Sequence, residues 1–263
     1  MLKDIVRIIG RQFFNLFPYN TQIARFFFNI ISRGALINTN IRHFAPTIMY
    51  SQEDVKINSN LVALSIDAIK IAADNELKCG NYDLPDSKFL NVFPGEHYRL
   101  INALVKVTKS CNVVEIGTGS GLGTLSLQDG IDEIKVISYD VRKWDAMRHP
   151  SHFTSDHLDN NRIVLKTADL SNNTVFEENF NILDSADLIF LDARKDLFYH
   201  NLGKQFLKLN KKENKFLIID DIKHVGMIDY WRSISSPKID LSSFGHWSGT
   251  GIVDISDIIE INI

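Results

Sequence analysis

The stretch VVEIGTGSGLG, Val113 to Gly123, sets four glycines within seven residues, directly behind a run of apolar and β-branched residues. A parallel sheet meets its ligands at the carboxyl ends of its strands, where a strand turns into a helix. Gly117, Gly119 and Gly121 carry no Cβ, so the backbone can turn tightly there and approach a ligand closely. The spacing limits which ligand. A dinucleotide fingerprint reads G-x-G-x-x-G, but Gly119-Ser120-Gly121 is followed by Thr124 where the third glycine belongs, and Gly117 and Gly119 by Leu122. A P-loop fails too, because no Gly-Lys-Ser/Thr follows. The loop instead has Glu115 two residues before its first glycine. Pyrophosphate is suited by a helix N-terminus with no carboxylate beside it, whereas a cationic, amine-bearing ligand is suited by an acid.

Outward from the loop, short apolar runs alternate with helical or irregular connections. NVVEIG, IKVISYD, RIVLKTAD, DLIFLD and KFLIID read as strands, each with a turn or acidic residue at its carboxyl end. This alternation predicts an α/β fold, a mostly parallel sheet covered by helices on both faces. KIDLSS and TGIVDIS follow the helix VGMIDYWRSI and are expected to pair antiparallel through the FGHWSG turn. Before residue 90 the texture is helical: Leu2, Ile5, Val6, Ile9, Phe13, Leu16 and Phe17 recur at helical spacing, and IARFFFNII and NLVALSIDAIKIAA read as further helices. The organisation expected is therefore an N-terminal helical extension over residues 1–90 and an α/β domain over 91–263.

Composition fits that outline. A chain of 263 residues with 44% hydrophobic content can bury a full core. Two cysteines are too few for a disulfide framework and suit a reducing, cytoplasmic compartment. No apolar run approaches the roughly 20 residues of a membrane span, and no secretory signal is legible. The net charge of -3 gives no general drive toward nucleic acid. The sign is unevenly spread, however: residues 1–45 hold six basic side chains against Asp4 alone.

The run Glu115-Ile-Gly117-Thr118-Gly119-Ser120-Gly121 resembles the first motif of S-adenosylmethionine-dependent methyltransferases with the seven-stranded Rossmann-like fold. The resemblance implies that these residues cradle the sulfonium cofactor, that Asp140 chelates its ribose hydroxyls, and that Asp169 sits by its adenine. Acids at strand ends also commonly start turns, which is the plainer reading of Asp140 and Asp169. LIFLDARKDLFYHNL and FLIIDDIKHVGMIDYW, together with PGEHYRLINALVKVTKSCNVVEIGTGSGLGTLSL, are similar to the metal-dependent O-methyltransferases of the catechol and caffeoyl-CoA type and to related sugar and antibiotic O-methyltransferases, over about residues 90–255. That likeness implies an Mg²⁺ site at Asp192, Asp220 and Asp221, with Asp192 also near the cofactor, and Lys195 as the base toward an acceptor hydroxyl. Adjacent strands lie about 4.8 Å apart, so carboxylates at their ends can converge on one hard cation. Arg194 departs from the family pattern, and a lysine serves as base only if its pKa is lowered. His200 and His224 are weaker candidates for the base.

The sequence thus points to methyl transfer from S-adenosylmethionine to a hydroxyl of a small-molecule acceptor. The alternatives are a metal-free methyltransferase, a cofactor-binding protein without turnover and, more remotely, a nicotinamide oxidoreductase. His149, His152 and His157 match no zinc spacing and are expected in an exposed loop. Trp144 either stacks on adenine or packs under the loop, and Trp231 is expected in the core. The basic N-terminal helices suit a substrate-covering cap, a homodimer contact or an extra packed layer ahead of weak contact with an anionic membrane surface.

Overall fold

The computed structural model describes residues 58–146, 150–159, 161–193, 195, 198–224 and 226–262. The chain separates into two compact units, Met1–Tyr50 and Ser51–Ile263. The first unit, with the two helices expected in it, lies outside the described residues, as do His149 and Arg194.

Seven strands form one sheet: β1 Asn112–Ile116, β2 Lys135–Asp140, β3 Ile163–Thr167, β4 Leu188–Leu191, β5 Phe216–Asp220, β6 Lys238–Asp240 and β7 Thr250–Asp254. Their order is β3-β2-β1-β4-β5-β7-β6. The first five run parallel; β7 pairs antiparallel with β6, as the sequence pattern predicts, and also with β5. The strand order steps outward from β1 to β2 on one side and to β4 on the other. The connections after β1 and β4 therefore part at the carboxyl edge, leaving the crevice in which such sheets bind ligands.

Residues alternate between the two faces along each strand. Val113, Val136, Leu188, Phe190, Phe216 and Ile218 pack into one core with helices Ser59–Asp74 and Tyr98–Thr108. Val114, Ile116, Ile189, Leu191, Leu217 and Ile219 pack into the other, against Asn173–Ser185, Phe198–Phe206 and Ile228–Ser233. Trp231 belongs to this second core, as expected. The helix Ser59–Asp74 starts where Asn58 accepts hydrogen bonds from the backbone N–H groups of Asn60 and Leu61, a side-chain cap for otherwise orphaned donors. It buries Leu61, Ala68 and Ala72 in the first core, so this part of the segment before residue 90 packs directly on the sheet domain. Among the described residues, no helix is long and apolar enough to cross a membrane.

Candidate active site

The glycine loop joins β1 to the helix Leu122–Gln128, and its glycines answer to different demands. Gly117 has φ 110°, and a Cβ on it would stand 2.0 Å from the Asp192 carbonyl oxygen. Gly121 has φ 92°, with its Cβ position 2.7 Å from the Phe153 ring, and at Gly123 the added carbon would meet Glu115 Oε1 at 2.4 Å. These three positions are glycine because the protein's own atoms fill the space. Gly119 differs: at φ 52° its Cβ would point where nothing lies within 4 Å. Its N–H reaches Asp140 Oδ2 at 3.3 Å, and Asp140 Oδ1 also accepts from the backbone N–H of Arg142 at 3.0 Å. The open part of the loop and the acid ending β2 thus face each other. Thr118 is buried, its hydroxyl 2.7 Å from that of Ser138, and the Ser120 carbonyl accepts from the His152 backbone N–H.

Glu115 stands beneath the loop. Alternation puts it on the same face as Val113, pointing under the start of the helix, where it is 1% exposed and accepts hydrogen bonds from the hydroxyls of Thr124 and Ser138. Burial pushes its acid up to about 8 in spite of those two bonds. A carboxyl buried in this way is a neutral prop for the turn at pH 7.

The remaining candidates on this side divide. Asp169 is exposed and accepts from the backbone N–H and hydroxyl of Ser171, which is the turn-starting geometry. It also lines an open depression with Val141, Thr167, Ala168 and Glu178. Trp144 packs edge-on against Phe153, with ring centroids 6.1 Å apart. The exposed histidine loop requires correction at His152. That residue is fully buried: its Nδ1 accepts from the Asn81 N–H at 3.0 Å and its Nε2 lies 3.0 Å from Asp86 Oδ1. The polar neighbours of the segment before residue 90 create this burial, which spacing within HPSHFTSDH cannot reveal.

The other half of the edge is built from charge. Asp192 follows β4, Asp220 ends β5, and Asp221 holds the left-handed conformation at φ 59°. These three offer oxygens that all lie within 4.8 Å of one another. Lys195 joins them, its Nζ 2.6 Å from Asp192 Oδ1 and 3.0 Å from Asp221 Oδ2. Burial opposes its charge, but Asp192, Tyr199 and Asp221 outweigh that and hold the ammonium far above the usual lysine range. His224 is exposed, and its Nδ1 accepts from the Gly226 N–H; the side chain of His200 lies outside the described residues.

Two histidines not singled out from the sequence complete this half. Asp220 continues the Phe216, Ile218 face, so it meets His97, just before the helix Tyr98–Thr108, at 3.3 Å. His246, from the turn between β6 and β7, stands 3.3 Å from Asp220 Oδ2 and 3.2 Å from Asp221 Oδ1. Burial would raise Asp220, but both imidazoles hold it well below the carboxylate range. For Asp221, burial is again opposed, by His246, Lys195 and Ser248, and the acid falls to about 2. Burial opposes charge on His246 as well, yet the two carboxylates push it up to about 10. His97 and His246 come from distant parts of the chain without any motif, and only the sheet brings them together.

No family model matches the chain, and no curated protein does. The solved structures to which it is similar include three methyltransferases. One is MycE from the mycinamycin biosynthetic pathway, in complex with Mg and S-adenosylhomocysteine (14% identity, TM-score 0.32, 42% of this chain and 27% of that one). The second is the S-adenosylhomocysteine-bound methyltransferase PaMTH1 of Podospora anserina (15%, 0.37, 92% and 98%). The third is an O-methyltransferase from Bacillus cereus, also in complex with S-adenosylhomocysteine (14%, 0.35, 76% and 93%). The chain thus spans about a quarter of the length of MycE and nearly all of the other two.

Proposed function

We propose that the protein is a methyltransferase that moves a methyl group from S-adenosylmethionine to a hydroxyl of a small molecule. The observation that carries this reading is Gly119. It is the one loop glycine whose missing Cβ leaves open space, and it lies against Asp140 on the same sheet edge as the carboxylate cluster. Bound there, S-adenosylmethionine supplies an electrophilic methyl on a sulfonium. The Gly117–Gly121 turn and Asp140 would hold it, and the acids of β4 and β5 would favour its positive charge. Methyl transfer then requires mainly that donor and acceptor be held in line.

The donor set Asp192, Asp220 and Asp221 fits a hard divalent ion such as Mg²⁺, because it is all oxygen and carries more negative charge than one lysine balances. When bound, such an ion polarises an acceptor oxygen. Lys195 takes the acceptor's proton only as the neutral amine, so its pairing with Asp192 and Asp221 must be broken before it serves as base. While paired, it neutralises part of the cluster and keeps the carboxylates together. The proposal further takes the compartment as cytoplasmic, with no nucleic acid bound.

Titration calorimetry tests the cofactor reading. Wild-type protein should bind S-adenosylhomocysteine at micromolar strength and NAD poorly, and Gly119→Val should abolish the first. NAD bound more tightly than S-adenosylhomocysteine would refute the proposal.

A further inference from the structure

His97, Asp220 and His246 come from three separated segments: the start of the helix Tyr98–Thr108, the end of β5 and the β6–β7 turn. One imidazole nitrogen faces each oxygen of the Asp220 carboxylate, at 3.3 Å in both cases, and the three ligand-type atoms lie within 4.8 Å of one another. Atoms bound at about 2.0–2.1 Å to one tetrahedral ion stand roughly 3.3 Å apart. His97 is 4% exposed, and its Nδ1, 3.3 Å from Asp220 Oδ1, completes no hydrogen bond there. A buried nitrogen held near a carboxylate without a formed hydrogen bond is suited by an ion shared between the two. The opposite nitrogen of His246 faces Glu96 Oε2 at 3.6 Å. A metal-bound histidine regularly presents its remaining N–H to a carboxylate in this way. Ser248 and Asp221 also approach His246 Nδ1, at 2.6 and 3.2 Å, which accounts for the position of His246 but not for that of His97.

We infer that His97, Asp220 and His246 form a second cation site, selective for a divalent transition ion of the zinc, ferrous or cobalt kind over Mg²⁺, with Glu96 as its outer partner. Two imidazoles and one carboxylate suit those ions, whereas Mg²⁺ takes oxygen ligands and keeps its water. Asp220 belongs to both clusters, so ions in the two sites would share its carboxylate. The inference stands independently of methyl transfer.

The test is a Co²⁺ titration of chelator-stripped full-length protein, read by visible absorption, with Zn²⁺ added in competition. One Co²⁺ per chain is expected, displaced by Zn²⁺ and not by millimolar Mg²⁺. His246→Gln and His97→Gln should each weaken binding about 100-fold or more, and Glu96→Gln about tenfold. Asp192→Asn, which is no member of the histidine set, should leave binding within about threefold. His97 is buried, so circular dichroism checks each variant; where His97→Gln is misfolded, His246→Gln and Glu96→Gln decide. Absence of a Co²⁺ band overturns the inference, and so does a band that survives His246→Gln or is lost in Asp192→Asn. Calorimetry with S-adenosylhomocysteine on the same stripped protein keeps the two readings apart: failure there overturns the cofactor proposal and leaves the Co²⁺ result standing.

Discussion

Glu115 and Asp220 are both 1% exposed acids near the carboxyl edge of one sheet, on the same face, and their protonation is driven in opposite directions. Glu115 has only hydroxyl donors, Thr124 and Ser138, among its hydrogen-bond partners in the described residues, so the cost of burying a charge prevails and the acid is neutral at pH 7. Asp220 meets two imidazoles, which favour the ionised form more strongly than burial disfavours it. The edge therefore has a half shaped by backbone, where the acid is a neutral brace, and a half shaped by charge, where acids remain ionised and can hold cations. Equal burial does not determine what a carboxyl group does; its partners do.

The comparison can be broken most sharply at the seam between the halves, where Gly117 lies under the Asp192 carbonyl. Gly117→Ala should cost about 4 kcal/mol, since it combines a backbone clash with a positive φ; urea denaturation would measure it. Asp220→Asn follows at about 3 kcal/mol, because it leaves buried imidazolium groups without their counter-charge. A cost under about 1 kcal/mol would mean that charge does not organise that half.

Glu115→Gln sharpens the contrast through pH. The folded protein keeps the Glu115 proton up to about 8, whereas the unfolded chain loses it near 4.5. Its contribution to stability is therefore fully present below pH 4.5 and is lost as pH rises to 8. Wild-type stability should fall by roughly 2 kcal/mol or more across that window relative to the Gln variant, which lacks the titration. Parallel curves for the two proteins would show that Glu115 is ionised. The smallest effect on the fold is expected at Gly119→Ala, about 1 kcal/mol for its left-handed backbone alone, with S-adenosylhomocysteine affinity falling at least about tenfold.

How far the sequence reached follows the same division. Strand identity and the antiparallel last pair were legible, because short apolar runs between turn signals are local, and the convergence of Asp192, Asp220 and Asp221 was expected through the family resemblance. The glycine run was legible as a turn but not in its parts. Which glycines serve packing and which one faces open space depends on Asp192, Phe153 and Glu115, none of them visible from spacing. The resemblance suggested Lys195 as a base, yet the carboxylates it was expected to serve are the groups that keep it protonated. His97, His246 and the buried His152 left no trace in local pattern, because their partners are far away in the chain and meet them only through the fold.

If the two halves flank one cofactor site at Gly119, a crystal structure grown with saturating S-adenosylhomocysteine will place the ligand between them. The ligand is expected against the open face of Gly119, its ribose hydroxyls at Asp140 and its sulfur directed toward the Asp192, Asp220 and Asp221 side. Ligand density elsewhere on the protein, or an empty crevice at saturation with Gly119 and Asp140 in their present contact, would contradict it.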